Sequence, residues 1–127
     1  MPDADKGNVG ISRDVVTSIA GIAISEIDGI ANLRPGDTAF RRGEGMKRHV
    51  DTNVDGDAVT VTARLTVIYG FPILKVARQV QERIKSEIER MTGLQVRAVN
   101  VDVQKLVRDG ERTEEKGDEW DEGGEQG

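Results

Sequence analysis

Apolar and polar residues alternate through residues 50–69, and this alternation predicts two β-strands that each have one buried face. The sequence DGD at residues 55–57 interrupts the alternation and is typical of a tight turn, so the two strands are expected to form a β-hairpin. The second strand is the longer one and could pair with a further strand. The alternating residues are Val50, Thr52, Val54, Val59, Val61, Ala63, Leu65, Val67 and Tyr69.

Apolar residues at helical spacing flank the hairpin on both sides and predict two helices. The first helix is expected to begin after Ser12, a good N-cap residue, and to end before Gly29. The second is expected to have Pro72 in its first turn and to end at Gly93. The apolar residues are Ile19, Ala20, Ala23 and Ile27 in the first helix, and Ile73, Val76, Ala77, Val80, Ile84, Ile88 and Met91 in the second.

Shorter apolar stretches predict strands at residues 9–11, at residues 30–33 and in a last segment that begins at Leu94. In the last segment the apolar phase changes between Ala98 and Val99, which indicates a bulge. The resulting order is β-α-(β)-β-β-α-β. Two helices separated by a hairpin indicate an α+β fold, a two-layer sandwich with a mixed sheet and both helices packed on one face.

Charge divides the chain into a nearly neutral body and an acidic tail. Residues 108–127 contain nine acidic and three basic residues, whereas residues 1–107 contain 14 acidic and 15 basic residues. A polar segment rich in Gly and Glu buries too little apolar surface to offset the entropy of ordering. The expected organisation is a flexible N-terminus at residues 1–8, one domain at residues 9–107 and a disordered acidic tail at residues 108–127.

Residues 34–48 interrupt the regular pattern with Gly and Pro, and they contain five basic and two acidic residues. They are expected to form a basic loop that contacts an anionic partner, a nucleic acid backbone or the acidic tail of this same chain through nonspecific electrostatics. Trp120 in the acidic tail is either a docking anchor or a side chain without a contact. The candidate interaction surface therefore consists of Arg41, Arg42, Lys47, Arg48 and Trp120.

The connection between the hairpin and the second helix is interpreted as a structural corner. Gly70 can adopt a backbone angle that is closed to other residues, and Pro72 sets the start of the helix. Gly93 is expected to have the corresponding role at the far end of the helix. Tyr69, Gly70, Pro72 and Gly93 are therefore assigned an architectural role rather than a contact with a substrate.

No constellation of residues in the sequence indicates catalysis or metal binding. There is no cysteine, and the single histidine, His49, has no Ser or Cys close to it in the sequence. Asp51, Asp55 and Asp57 have the even spacing of a calcium loop. The position of the closing Glu is occupied by Thr62, however, and turn formation explains the motif more simply. We therefore expect a protein that is not an enzyme and that requires no cofactor or metal.

The sequence contains no apolar run of the roughly 18–20 residues that a transmembrane helix needs. The N-terminal sequence MPDADKGNVG is acidic and lacks the layout of a signal peptide. The protein is therefore expected in the cytoplasm, without a membrane span of its own.

Two stretches of the sequence resemble the alkaline shock protein family of bacteria, also called the envelope stress response group. GNVGISRDVVTSIAGIAISEIDGIANL resembles the opening of that family, with Glu26 or Asp28 as the acidic residue of its acidic-x-Gly-apolar turn. VTVTARLTVIYGFPILKVARQVQERIKSEIERMTGLQVRAVNVDVQKL resembles the second half more specifically. That resemblance is carried by Tyr69, Gly70, Ile73, Val80, Gln81, Met91, Thr92, Gly93, Leu94, Val99, Asn100, Val101 and Val103.

The resemblance implies a biological role that cannot be predicted from composition or periodicity. Proteins of this family are regarded as small, cytoplasmic and non-enzymatic, and they are tied to cell-envelope homeostasis. In some bacteria a separate anchor protein holds them at the membrane. The resemblance therefore implies an adaptor or scaffold that acts by protein–protein contacts at the cytoplasmic side of the membrane, with a membrane-anchored protein or a second copy as partner.

Two other interpretations are open at the level of the sequence. A small α+β sandwich is compatible with an RNA-binding module of KH-like layout, or with a regulatory partner of a metabolic enzyme. The nearly neutral body, the lack of a GXXG loop at the expected position and the total of four aromatic residues disfavour nucleic acid as a partner.

Overall fold

The computed structural model describes residues 7–33 and 48–108, which form two helices and three strands. The elements are α1 (Arg13–Ser25), β1 (Val50–Asp55), β2 (Ala58–Ile68), α2 (Ile73–Thr92) and β3 (Gln95–Val107). The strands form one mixed sheet in the order β1-β2-β3, with β1 antiparallel and β3 parallel to β2. The α+β class expected from the sequence is confirmed.

The predicted hairpin is formed by β1 and β2. Asp55 pairs with Ala58, so only Gly56 and Asp57 form the turn. Gly56 has a φ of 63°, as the first central position of a type I′ or II′ turn requires. These turns match the twist of the two strands, which explains why a short loop joins them.

Both edges of β2 are hydrogen bonded along the whole strand. β3 pairs with residues 58–68 of β2 on one edge, and β1 pairs with residues 58–63 on the other. Residues 29–32 bond to the remainder of that second edge, where Ala31 N donates to Thr66 O at 2.8 Å. β2 is therefore the central strand, and its backbone polar groups are paired as buried groups require.

Asn32 takes the place of a strand residue beside β2. Its Oδ1 accepts from Thr66 N at 3.0 Å, and its Nδ2 donates to Arg64 O at 3.1 Å. The residue is buried, so water competes little for these two bonds. The short strand predicted at residues 30–33 is thus reduced to one isolated bridge and the bonds of this side chain.

The hydrophobic core lies between the helices and one face of the sheet. Every second residue of β2 points into it and is at most 1% exposed: Val59, Val61, Ala63, Leu65 and Val67. The helices cover this face with residues at helical spacing. They are Val16, Ile19, Ala20, Ala23 and Ile24 from α1, and Val76, Val80, Ile84 and Ile88 from α2.

Two local predictions near the N-terminus are wrong. Residues 7–12 contain no strand, and Val9 is 90% exposed, so its apolar spacing marks no buried face. Helix α1 is capped by the Ser12 side chain as predicted, but it ends at Ser25 with Glu26 as its C-cap. It stops before Gly29 by several residues because the chain must turn there to reach the edge of β2.

The predicted irregularity of β3 lies close to its expected position. The pairing with β2 passes from Val96 to Ala98, so Arg97 is the extra residue rather than a residue between Ala98 and Val99. A second register shift, at Gln104, was not predicted. Bulges of this kind bend and twist an edge strand, and both lie on the outer strand of the sheet.

Gly29 lies where the chain turns from α1 toward β2. Its φ is 96°, which residues with a side chain rarely adopt. A Cβ atom at this position would lie 2.8 Å from two ring carbons of Phe71. Glycine is therefore required here both by the backbone angle and by the aromatic ring that packs against it.

The substitution Gly29→Ala is expected to lower the free energy of unfolding by about 1–3 kcal/mol, because it combines an unfavourable φ with a steric overlap. Urea unfolding followed by circular dichroism measures the effect. Gly10→Ala is the matched control, since no atom lies within 4 Å of its Cβ position. Adding Phe71→Ala to Gly29→Ala should recover part of the loss, and strictly additive effects would contradict the proposed contact.

Helix α2 bonds to the backbone of β3 through two side chains. Glu89 Oε2 accepts from Val96 N at 2.9 Å, and Gln81 Nε2 donates to Val99 O at 3.1 Å. The bond from the Val96 amide stabilises the Glu89 carboxylate, with a smaller contribution from Lys85, and lowers its pKa below the ordinary 4.5. A carboxylate with a lowered pKa stabilises the fold above its unfolded pKa, and this contribution is lost as the pH falls through the folded pKa.

The variant Glu89→Gln is expected to be less stable than the wild type at neutral pH, because an amide oxygen accepts a weaker hydrogen bond than a carboxylate. The difference between the two proteins should begin to shrink as the pH falls below 4.5, and it should be lost once the pH has fallen through the lowered pKa of the folded wild type, where the Glu89 carboxyl becomes protonated. Urea unfolding at a series of pH values measures this difference, with Glu82→Gln on the same helix as the control. A difference that does not change with pH would contradict the role of the charge.

Candidate interaction surface

Of the five residues predicted for an interaction surface, the structure describes one. Arg41, Arg42, Lys47 and Trp120 lie outside the described residues. Arg48 is exposed and lies shortly before β1, where its carbonyl oxygen accepts from Nε and Nη2 of Arg64 at 3.2 and 3.1 Å. These bonds hold the backbone at the end of the basic segment against the sheet.

The four residues assigned to a structural corner lie at the two ends of α2. Tyr69 and Gly70 form a turn directly after β2, and Gly70 has a φ of 105°. Pro72 is the N-cap residue of α2 rather than part of its first turn. Gly93 ends the helix in the left-handed conformation, with its N–H donating to Glu89 O at 3.0 Å.

The described residues contain no group of three or more His, Cys, Asp or Glu side chains that could hold a metal ion. Asp51, from the motif with calcium-like spacing, accepts instead from Arg64 Nη2 at 2.9 Å. On α2, the hydrogen bond from Arg90 lowers the pKa of the Glu87 carboxyl, and Glu87 raises the pKa of Arg90. This pair lies on an exposed helical face at i,i+3 spacing, where such pairs are common without any chemical role.

An open cleft of about 420 Å³ lies between α2 and the turn that follows α1. Arg83 on α2 donates to Glu26 at 3.0 Å across it, and both side chains are about half exposed. Exposed pairs of this kind contribute roughly 0–1 kcal/mol. The cleft is therefore crossed by a polar contact between α2 and the turn after α1, and it brings no set of reactive groups together.

The face of the sheet that points away from the helices is polar. Thr60, Thr62 and Arg64 of β2 lie on it, and Asp51 and Asp102 occupy neighbouring strands. The three strands contain no aromatic residue. This face therefore offers none of the stacking side chains with which RNA-binding sheets hold bases.

The outer edge of β3 pairs with no other strand in the part of the chain that the structure describes. Gln81 and Glu89 of α2 bond to its backbone in the first half of the strand, at Val99 and Val96. The second half, from Val101 to the end of the strand, has no such bond from α2 among the described residues. A strand from a binding partner would therefore compete with fewer hydrogen bonds from α2 if it paired with this second half of β3.

Five exposed apolar side chains lie around the ends of β2 and β3. We call them the apolar corner: Tyr69, Phe71, Ile73, Leu74 and Leu106, which are 70%, 40%, 44%, 65% and 51% exposed. Tyr69 N donates to Val107 O at 2.6 Å, which joins the turn after β2 to the end of β3 beside Leu106. Monomeric proteins rarely leave such clusters uncovered unless the surface binds something.

Sequence reasoning missed the apolar corner as a surface. It assigned Tyr69 to a strand and Ile73 to the buried stripe of α2, and it gave Phe71 and Leu74 no role. The available signal was the run YGFPIL at the connection between β2 and α2. It contains more apolar residues than the buried faces of that strand and that helix require. Other exposed apolar residues of the described part, such as Val15, Ile22 and Met91, lie elsewhere on the helices.

The helices of the described residues are too short or too polar to cross a membrane.

The chain is similar to several known bacterial proteins. The chain is 36% identical to the uncharacterized protein YqhY of Bacillus subtilis (strain 168) over 80% of this chain and 78% of that protein. It is 31% identical to the uncharacterized protein YloU of the same organism, over 77% of this chain and 87% of that protein. It is 28% identical to the uncharacterized protein Spy1535 of Streptococcus pyogenes serotype M6, over 80% of each chain.

No solved structure matches the chain. Residues 1–108 match the model of the alkaline shock protein family, which is described by a "cell envelope-related function". This match covers the whole of the described fold and ends where the acidic tail begins. The chain belongs to the alkaline shock protein family, whose function is related to the cell envelope.

Proposed function

We propose that this protein is a non-enzymatic adaptor or scaffold in cell-envelope homeostasis or stress response, and that it acts by protein–protein contacts at the cytoplasmic side of the membrane. The partner is a protein, with a membrane-anchored protein as the first expectation and self-association as the second. The observation that carries the proposal is the apolar corner, an exposed cluster of aromatic and aliphatic side chains on a chain of the alkaline shock protein family.

The apolar corner has the features of the centre of a protein interface. It combines two of the four aromatic residues of the chain with two leucines and an isoleucine. Tyrosine is among the residues that dominate binding energy at interfaces, and covering a leucine or isoleucine contributes roughly 1.5–3 kcal/mol of hydrophobic free energy. The second half of β3 ends beside the apolar corner, and its outer edge could add main-chain hydrogen bonds to a partner segment. The basic residues Arg41, Arg42, Lys47 and Arg48 remain a second proposed contact for an anionic partner.

Nucleic acid is disfavoured as a partner by the polar, non-aromatic open face of the sheet. No observation favours a regulatory role toward a metabolic enzyme over an envelope role. A role at the envelope agrees with the description of the family.

The variant Leu74→Ser is expected to lower recovery of envelope proteins with the tagged protein by about tenfold, since a covered leucine in an interface contributes on that order. The measurement is quantitative mass spectrometry after gentle cross-linking in cells. Met91→Ser is the matched control, because Met91 lies at the other end of the same helix and is 59% exposed, close to the 65% of Leu74.

Equal recovery with the two variants would contradict a role of the apolar corner in partner binding. Enrichment of RNA above a charge-matched control protein would instead support the nucleic-acid interpretation. Charge reversal at Arg41 and Arg42 in the same experiment tests the contribution of the basic residues separately.

A further inference from the structure

The charge around the apolar corner has one sign along the two chain segments that build it. Residues 69–81 contain Lys75 and Arg78 and no acidic residue, and residues 103–108 contain Lys105 and Arg108 and no acidic residue. Lys75 and Arg78 are exposed on α2, whereas Lys105 pairs with Thr66 and therefore lies on the face of the sheet that points away from the helices. Asp28, which precedes Gly29 beside the Phe71 ring, is an exposed acidic residue near the corner. On the side of α2 the apolar side chains are therefore flanked by basic side chains, which fits a ligand with an apolar centre and neighbouring acidic groups.

One segment of this same chain has that composition. The sequence DEWDE at residues 118–122 places Trp120, the sole tryptophan, between two pairs of acidic residues. Residues 109–127 contain nine acidic and two basic residues, and they lie outside the described residues. The segment is opposite to the corner in charge, and it has a large aromatic side chain at its centre.

The connection is short enough for the two to meet. Trp120 follows Arg108 by twelve positions, and a chain of that length spans about 20 Å on average. Arg108 directly follows β3, whose end is bonded to the turn at Tyr69. A link of this length gives an effective concentration on the order of millimolar, so even a weak contact is populated within one molecule.

We propose that the apolar corner is a binding surface for a short acidic segment centred on a large aromatic side chain, and that residues 118–122 of the same chain are its resident ligand. Trp120 packs on the side chains of Tyr69, Phe71 and Leu74, and the flanking carboxylates lie near Lys75 and Arg78. This inference goes beyond the proposed adaptor function, because it concerns contacts within one isolated molecule.

Two consequences follow for partner binding. A partner that binds the apolar corner must displace the acidic segment. The segment therefore lowers the affinity for partners that lack comparable acidic and aromatic groups. The electrostatic part of the contact is screened by salt, since the charged side chains involved on the corner are exposed.

The test uses the fluorescence of Trp120 in the purified full-length chain, which has no other tryptophan. We expect emission at a shorter wavelength, and weaker quenching by the neutral quencher acrylamide, than in the same chain unfolded in urea. Leu74→Ser should lower the ratio of docked to free segment about tenfold and move both readings toward the unfolded values. Met91→Ser, at the far end of α2, should leave them unchanged.

Charge is tested with variants that do not alter the apolar side chains. Arg78→Glu should increase quenching of Trp120 in low salt, whereas Arg97→Glu, an equal change at an exposed position of β3, should not. Circular dichroism and urea unfolding establish that each variant is folded. Because the two pairs of variants are independent, the proposal remains testable if Leu74→Ser does not fold.

Three outcomes would overturn the proposal. Trp120 could be as accessible to acrylamide in the wild type as in the unfolded chain. Its fluorescence could return to the unfolded values on hundredfold dilution, which would place the segment on a second copy. The wild type could also bind anionic lipid vesicles through Leu74 while Trp120 stays accessible, which would make a lipid surface the ligand. None of these outcomes depends on capture of a partner from cells.

Discussion

The fold depends on the complete hydrogen bonding of β2. This central strand pairs with β3 on one edge, and with β1 and residues 29–32 on the other, while its inward residues are almost fully buried. An unpaired backbone group in such a position would cost about as much as a lost hydrogen bond. The path of the chain before β1 is therefore constrained by β2, which requires residues 29–32 to return to its edge.

That requirement explains several features that look unrelated along the chain. Helix α1 ends at Ser25 so that the backbone can reach β2, and Gly29 is placed where Phe71 packs closely against it. Phe71 in turn belongs to the connection that leads from β2 into α2. The end of the sheet is thus closed by contacts from both directions. The apolar side chains of that connection, together with Leu106 of β3, stay partly or largely exposed and form the apolar corner.

Membership of the alkaline shock protein family directs attention to surfaces rather than to a pocket. The ionisable side chains with shifted pKa values lie on the exposed side of α2, and their shifts come from hydrogen bonds that support α2 and its contact with β3. In contrast, the apolar corner uses large side chains at a place where the core does not need them. A cell envelope-related function carried out through such a surface would leave no catalytic signature in the sequence.

The sequence by itself determined the features that depend on neighbouring residues. These are the hairpin with its Gly56 turn, the cap at Ser12 and the central part of the buried stripe of α2, since each follows from local backbone preferences and periodicity. The two ends of the predicted stripe, Ile73 and Met91, are exposed instead. Tertiary structure decided what depends on distant partners. Asn32 bonds to β2 across more than 30 residues, which no local pattern predicts. The run YGFPIL is visible in the sequence, but only the fold decides which of its side chains are covered, because burial depends on what packs on a residue.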